Sequence, residues 1–193
     1  MMAIDYVAEV QKLYVAYFSR PADPAGLAYW TNILEKDPNG YQQMAATFSA
    51  TNEYRLVFAG MDNRAIIAEV YDNLFGRPAE QAGVDYWVGQ MATGRITIDN
   101  VVTQVAAGSQ NNDRLVLNGK VAVAESFTSH VDTQAERTAY SGAAANKIAI
   151  DYLAGIKSLD TIAMHMDPGN IDATIARIVG TPSGLGFDEM AVA

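Results

Sequence analysis

The chain has 193 residues and a mass of 20.8 kDa, which suits one compact domain with its own hydrophobic core. Hydrophobic residues make up 50%, charged residues 18%, and the formal net charge is −9. These values exclude global disorder and argue against nucleic acid or an anionic membrane surface as a partner. Cysteine is absent from the chain, so disulfides and thiolate chemistry are excluded as well.

The first predicted elements are two helices joined by a proline-containing turn. Apolar residues recur at three- and four-residue spacings over residues 4–18, which predicts an amphipathic helix. Pro21 ends that helix, and Asp23 is a suitable cap for a second helix that runs to about Lys36. Further helices are predicted over residues 41–50 and 51–59.

The following elements repeat this order and then depart from it. Helices are predicted over residues 63–75 and 81–92, and a third is predicted to begin at Thr97 and to run to about Ala107. The remaining predicted helices cover residues 111–131 (with Gly119 inside), 139–154, 159–165 and 168–179. We therefore expect an all-α protein of roughly ten short helices.

A duplication is the strongest signal in the sequence. Residues 14–30 align with residues 71–87 at an offset of 57, with nine identities in 17 positions. The identical pairs are Tyr14 and Tyr71, Phe18 and Phe75, Arg20-Pro21-Ala22 and Arg77-Pro78-Ala79, Ala25-Gly26 and Ala82-Gly83, and Tyr29-Trp30 and Tyr86-Trp87. Such similarity indicates a duplicated helix-turn-helix unit.

This alignment predicts the organisation of the chain. Residues 1–110 are expected to form the tandem repeat, with copies at about 4–59 and 63–108. Residues 111–180 are expected to form a C-terminal helical segment packed on the repeat. Residues 181–193 are expected to form a loop and tail.

The two motifs also resemble a known family. The pattern from Leu13-Tyr14 to Tyr29-Trp30, and again from Leu74-Phe75 to Tyr86-Trp87, closely resembles the bacterial family called domain of unknown function 4214. Family members are similar to parts of surface-layer proteins and calcium-repeat exoproteins, and they share a pattern with phycobilisome linkers. The resemblance therefore implies a secreted or cell-surface protein, with an envelope glycan, another surface protein or a second copy as the partner.

The same resemblance implies an export route that uses no N-terminal signal peptide. Residues 1–6 lack a basic region and a long apolar segment, so a cleavable signal peptide is not expected. Type I secretion reads an uncleaved C-terminal signal, and residues 187–193 combine an acidic pair with small apolar residues. We therefore expect an extracellular or cell-surface location, with the tail as the candidate signal.

Seven residues of the two motifs are candidates for ligand binding. Exposed aromatic rings beside polar groups are typical of sugar-binding sites. The candidates are Asp23, Tyr29, Trp30, Tyr86, Trp87, Arg20 and Arg77. The competing interpretation is structural: one aromatic of each Tyr-Trp pair packs inward, and each arginine binds a helix end or an acidic residue, with Glu53 a candidate partner.

No sequence motif assigns a metal, a cofactor or a reaction. Met164-His165-Met166 offers soft ligands, but consecutive helical side chains point about 100° apart and do not share one ion. Their expected position is a helix end with Met164 or Met166 in the core. Asp167 is expected to cap a helix. Calcium is the one cofactor that the resemblance suggests, and no ligand motif supports it.

Three functions remain open at this point. The first is a non-enzymatic secreted or surface module for assembly, adhesion or binding of envelope polysaccharide. The second is an intracellular linker-like scaffold, against which the charge of −9 argues. The third is a hydrolase with an unrecognised carboxylate site.

Overall fold

A computed structural model of the chain describes residues 5–181, and these residues form twelve α-helices with no strand among them. The helices are α1 (Tyr6–Phe18), α2 (Pro24–Lys36), α3 (Gly40–Ser49), α4 (Asn52–Val57), α5 (Asn63–Phe75), α6 (Gln81–Ala92), α7 (Val101–Ala107), α8 (Asn111–His130), α9 (Gln134–Ala139), α10 (Gly142–Ala154), α11 (Leu159–His165) and α12 (Pro168–Val179). The all-α prediction is confirmed. The predicted tail, 187–193, and the loop from 182 lie outside the described residues, as do residues 1–4.

Local capping sets the helix ends that the sequence predicts well. Asp23 accepts a hydrogen bond from the Gly26 amide at 2.8 Å, and Asp167 does the same for Asn170 at 3.2 Å. Gly76 ends α5 in the left-handed region, with φ at 65°. The predicted bounds of α5, α6, α11 and α12 are confirmed because their signals lie within a few residues of each helix end.

One predicted helix, 139–154, is wrong at its start. The chain breaks at Tyr140 and Ser141, and α10 begins at Gly142, whose φ is 81°. Before the break lies α9, which the sequence interpretation missed although a capping box of Thr133 and Glu136 opens it. Tyr140 is buried and its hydroxyl donates to the Pro21 carbonyl at 2.6 Å, so a long-range contact lies at the break.

The start of α7 also differs from the prediction. Residues 97–100 form a turn, and the helix begins at Val101 rather than at Thr97. Two phenol hydroxyls of the first unit bind this turn: Tyr17 donates to the Asp99 carbonyl at 2.8 Å and Tyr54 to the Ile98 carbonyl at 2.5 Å. Contacts between distant segments therefore accompany the later start of the helix.

The described residues share one large hydrophobic core and one smaller core. The large core joins α1 and α5 with the first half of α8, and α1 lies at its centre with six consecutive buried residues, 13–18. The smaller core lies between α8, α10 and α12 around Phe127 and Ile171. No described helix combines the length and the apolar character needed to cross a membrane.

Gly119 of α8 shows how α11 packs against α8 within the C-terminal segment. A Cβ atom at this position would collide with the Ile162 side chain of α11, including a distance of 2.5 Å to its Cγ1. Glycine therefore lowers local helix propensity but permits the close approach of α11.

A buried lysine joins α8 to the end of α5. Lys120 is 2% exposed, and its Nζ donates to the Asn73 carbonyl at 2.6 Å, in the last turn of α5. Burial lowers the pKa of Lys120 to about 8, which Asp72 partly opposes and Lys157 reinforces. The protonated ammonium is thus held in the fold at a cost in stability.

The pH dependence of unfolding should reveal this lysine. The unfolded chain holds the proton up to about 10.5, the ordinary pKa of a lysine side chain, whereas the folded chain releases it near 8. Between these values the unfolded state binds more protons, so stability rises with pH, by a total on the order of 3 kcal/mol. Urea unfolding at pH 7.5 to about 9, below most of the titration of the unfolded tyrosines, measures the slope. Lys120→Met should remove it, and parallel profiles for the two proteins would contradict the expectation.

Candidate functional site

The first Arg-Pro-Ala turn is buried. The Arg20 guanidinium binds Glu53 through two hydrogen bonds, from Nε to Oε1 at 2.8 Å and from Nη2 to Oε2 at 3.1 Å. Burial is the largest single effect and lowers the pKa of Arg20, but the interactions with Glu53 and Tyr140 together outweigh it, so the pKa is raised. The predicted Arg20–Glu53 pair is confirmed, and Arg20 is engaged as a structural residue.

The C-terminal segment covers this first turn. Thr128 of α8 donates to the Ala22 carbonyl at 2.7 Å. The side-chain amide of Gln11 in α1 links the same two residues: it donates to the Thr128 hydroxyl at 2.8 Å and accepts from the Ala22 amide at 3.0 Å. Tyr140 adds its bond to the Pro21 carbonyl. Buried polar groups are thereby satisfied, so the turn anchors the C-terminal segment to the first unit.

The second Arg-Pro-Ala turn has the same internal geometry but stays open. Arg77 binds both carboxylate oxygens of Asp113 at 2.7 Å and lies 2.8 Å from Glu80, while its side chain is 30% exposed. Its guanidinium also lies 5.4 Å from the centre of the Tyr71 ring, much as that of Arg20 lies 5.5 Å from Tyr14. Both arginines are therefore committed to neighbours within the fold.

In each Tyr-Trp pair, the tyrosine ring is exposed and the tryptophan ring is buried or partly buried. Trp30 is 8% exposed and meets the Phe48 ring edge-on, whereas Tyr29 is 60% exposed. In the second pair Tyr86 is 58% exposed, while Trp87 is partly buried and donates from Nε1 to the Tyr71 hydroxyl at 3.1 Å. Of the seven candidates, the tyrosines alone present rings to solvent, and Asp23 serves as the cap of α2.

The predicted interpretation of the Met-His-Met triplet needs one correction. It does lie at the end of α11, but Met164 and Met166 are 60% and 39% exposed rather than in the core. His165 Nδ1 donates to the Thr161 carbonyl at 2.7 Å, which orients the ring along the helix. Within residues 5–181, no group of three His, Asp or Glu side chains is arranged to hold a metal ion.

A groove between α3 and α7 brings together polar residues that the sequence interpretation did not select. Its volume is about 640 Å³, within the range of small-molecule sites. Tyr17 of α1 and Tyr41 of α3 supply phenol rings, and Gln42 and Gln104 stand exposed on its two walls. The other lining residues are Ala45, Ala46, Ser49, Ala50, Arg55, Asp99, Asn100 and Thr103.

The electrostatics of this α3–α7 groove are those of a neutral polar surface. Burial raises the pKa of Tyr17 to about 12 and also raises the pKa of Tyr41, so both phenols are uncharged near neutral pH. The Tyr17 hydroxyl already donates to the Asp99 carbonyl, which leaves the Tyr41 hydroxyl as the phenol donor of the groove. Asp99 is paired with Arg55. The groove therefore offers amides, hydroxyls and aromatic rings, which suit an uncharged, hydroxyl-rich ligand.

The sequence carried little signal for this site. Gln42 and Gln104 lie 62 positions apart in ordinary helical stretches, and no motif links them. The one available hint was Tyr17, which lies between the repeat residues Tyr14 and Phe18 but has Leu74 as its counterpart in the second copy. Tyr17 lies where the first unit meets the second, because its hydroxyl binds the Asp99 carbonyl.

Comparison with known proteins bears on one part of the chain. No curated protein and no solved structure matches this chain significantly. One copy of a family pattern is found, and its span contains the second Arg-Pro-Ala turn and most of the residues of α3 to α7 that line the groove. Residues 45–115 match the family described as Domain of unknown function (DUF4214), in agreement with the resemblance carried by the motif at Leu74 to Trp87.

Proposed function

We propose that this chain is a non-enzymatic module of the bacterial cell surface that binds envelope polysaccharide in the α3–α7 groove. The observation that carries the proposal is the lining of that groove: the partly buried phenol of Tyr41, three side-chain amides and an internally paired Arg55–Asp99. Sugar rings stack on aromatic faces, and their hydroxyl groups bind planar amides and carboxylates.

The lining also favours binding over hydrolysis. Glycoside hydrolysis uses two carboxyl groups on either side of the scissile bond. Among the described residues that line the α3–α7 groove, Asp99 is the single carboxylate, and Arg55 neutralises it. An acid and a base are therefore not both available in this groove.

We further propose that the first motif is a second, diverged copy of the family domain. The supporting observations are the left-handed end residues Ser19 and Gly76, 57 positions apart, and the matching arginine pairs that follow them. A protein exported to the cell surface would use such a tandem repeat to present one continuous groove between its units. Protease treatment of intact cells tests the location: a chain that resists digestion until lysis would favour the intracellular scaffold.

Glycan binding is tested with an array of bacterial envelope polysaccharides followed by calorimetric titration of the best ligand. We expect the double variant Gln42→Ala/Gln104→Ala to bind about tenfold more weakly, because each lost side chain removes hydrogen bonds to the sugar. Gln43→Ala is the matched control, since Gln43 is exposed on the same helix but does not line the groove.

The exposed tyrosines of the two motifs are the competing candidates for the glycan site. Tyr29→Ala and Tyr86→Ala remove the two rings that α2 and α6 present to solvent. If these variants abolish binding while the double glutamine variant binds normally, the site lies on the tyrosines and the groove proposal is overturned. Failure of all envelope glycans to bind would overturn the proposed function itself.

A further inference from the structure

A second groove, separate from the one between α3 and α7, lies between α2 and the C-terminal end of α8. Its volume is about 560 Å³, again in the range of ligand sites. Its apolar surface is formed by Val7, Pro24, Leu27, Ala28 and Val131, and Val7 is 38% exposed there. This α2–α8 groove offers space and apolar area for the body of a small molecule.

The charges around the α2–α8 groove are mainly negative. Glu35, Glu125 and Asp132 line it against one cation, Arg137, whose Nε points to the Val131 carbonyl at 3.4 Å. Glu35 lies in the last turn of α2, where the helix dipole already carries negative potential. A carboxylate in that position is unfavourable for the helix, and such local conflicts are expected at functional sites.

Glu125 supports the same interpretation from its own surroundings. Burial raises the pKa of Glu125, and the nearby carboxylate of Asp5 raises it further. Its charged form thus lacks compensation that a bound cation would supply. The groove also adjoins the C-terminal end of α8, whose final carbonyl groups add to the negative potential.

We propose that the α2–α8 groove binds a small organic ligand that carries one ammonium group on an apolar body. The apolar residues take the body, and Glu125 with Glu35 or Asp132 takes the charge. A bare metal ion is the less suitable occupant, because within residues 5–181 these carboxylates do not form a metal-binding cluster. The groove's apolar lining likewise suits an organic cation.

Thr31 adds a feature that a ligand can use. It lines the groove, and its hydroxyl oxygen is buried without a hydrogen-bond partner among the described residues. Such a group costs stability unless it is satisfied. On the proposed binding, rotation about its first side-chain bond turns this hydroxyl toward the groove, where its oxygen accepts a hydrogen bond from the ammonium.

The test uses three probes of one shape and different charge: 2-phenylethylammonium, 2-phenylethanol and 3-phenylpropionate. Titration of the full chain, followed by shifts in amide NMR signals, should show binding of the ammonium, weaker binding of the alcohol and none of the carboxylate. Glu125→Gln should weaken the ammonium about tenfold, as expected for a hydrogen bond to a charged group, and leave the alcohol unchanged. Thr31→Val should weaken the ammonium several-fold.

Matched controls separate binding from folding. Asp160→Asn removes the same charge from an exposed position on α11 that does not line the groove, and it should leave binding unchanged. Glu125→Gln and Thr31→Val are close in shape to the native residues, and their melting temperatures should not fall. Equal affinity for all three probes, or undiminished ammonium binding by Glu125→Gln, overturns the proposal.

Discussion

Replacing Arg20 by alanine should destabilise the protein by about 3 kcal/mol, because it removes a buried guanidinium and leaves the Glu53 carboxylate, which is 34% exposed and still bound by Asn146, without its cation. The side chain of Arg20 is 10% exposed, and both of its bonds to Glu53 are shorter than 3.2 Å. The same substitution removes the donor to the Pro21 carbonyl. Urea unfolding followed by helical circular dichroism measures the loss.

Arg77 is the matched comparison for Arg20. It makes an equivalent pair with Asp113 of α8, whose side chain is 16% exposed, but the Arg77 side chain itself is 30% exposed. Among the described residues, its turn receives no hydrogen bonds like those of Tyr140 and Thr128. Arg77→Ala should therefore cost only about 1.5–2 kcal/mol, the range for a lost hydrogen bond to a charged group. Equal losses at the two arginines would contradict the role of the covered turn.

A second pair of variants checks the origin of the Arg20 effect. Glu53→Gln added to Arg20→Ala should recover part of the stability, since it removes the stranded charge. Arg20→Lys should be intermediate, because lysine keeps the charge but loses the two-point geometry. If the double variant is less stable than Arg20→Ala alone, the ion pair does not explain the loss.

Replacing Trp30 by alanine should also cost about 3–5 kcal/mol, because it empties an aromatic-sized volume in the core. Trp30 is 8% exposed and its ring contacts that of Phe48, with centroids 5.6 Å apart. Trp87→Ala should cost about 2 kcal/mol, since the ring is partly buried and loses a single hydrogen bond to Tyr71.

Thermal unfolding distinguishes the structural role of these tryptophans from a ligand-binding role. We expect both variants to melt at lower temperature, with the larger decrease for Trp30→Ala. Tyr29→Ala and Tyr86→Ala should leave the melting temperature nearly unchanged, because their rings are 60% and 58% exposed. A normal melting temperature for Trp30→Ala, together with lost glycan binding, would instead place the tryptophan at the binding surface.

The two arginine turns show how similar local sequences acquire different surroundings. Both turns contain the same Arg-Pro-Ala residues, and both arginines bind a carboxylate at the start of a later helix. Gln11 of the first unit corresponds to Ala68 of the second, which cannot form the hydrogen bonds to α8. One substitution thus accompanies the difference between a buried turn and an open one.

Local signals in the sequence determined the helices with clear caps. Asp23 and Asp167 cap the helices that are predicted to begin there. These features depend on hydrogen bonds within one helical turn, which neighbouring residues decide. For the same reason the all-α fold followed from the sequence.

Tertiary structure decided the features that join distant segments. Arg20 pairs with Glu53, which lies 33 residues later in the chain, whereas Arg77 pairs with Asp113, which lies 36 residues later. The repeat offset therefore does not identify the partner of Arg77. The turn before α7, the break at Tyr140 and the two grooves likewise depend on contacts across tens of residues. The physical reason is that packing and burial select these contacts after the helices form, and helical periodicity records which face is apolar but not which helix covers it.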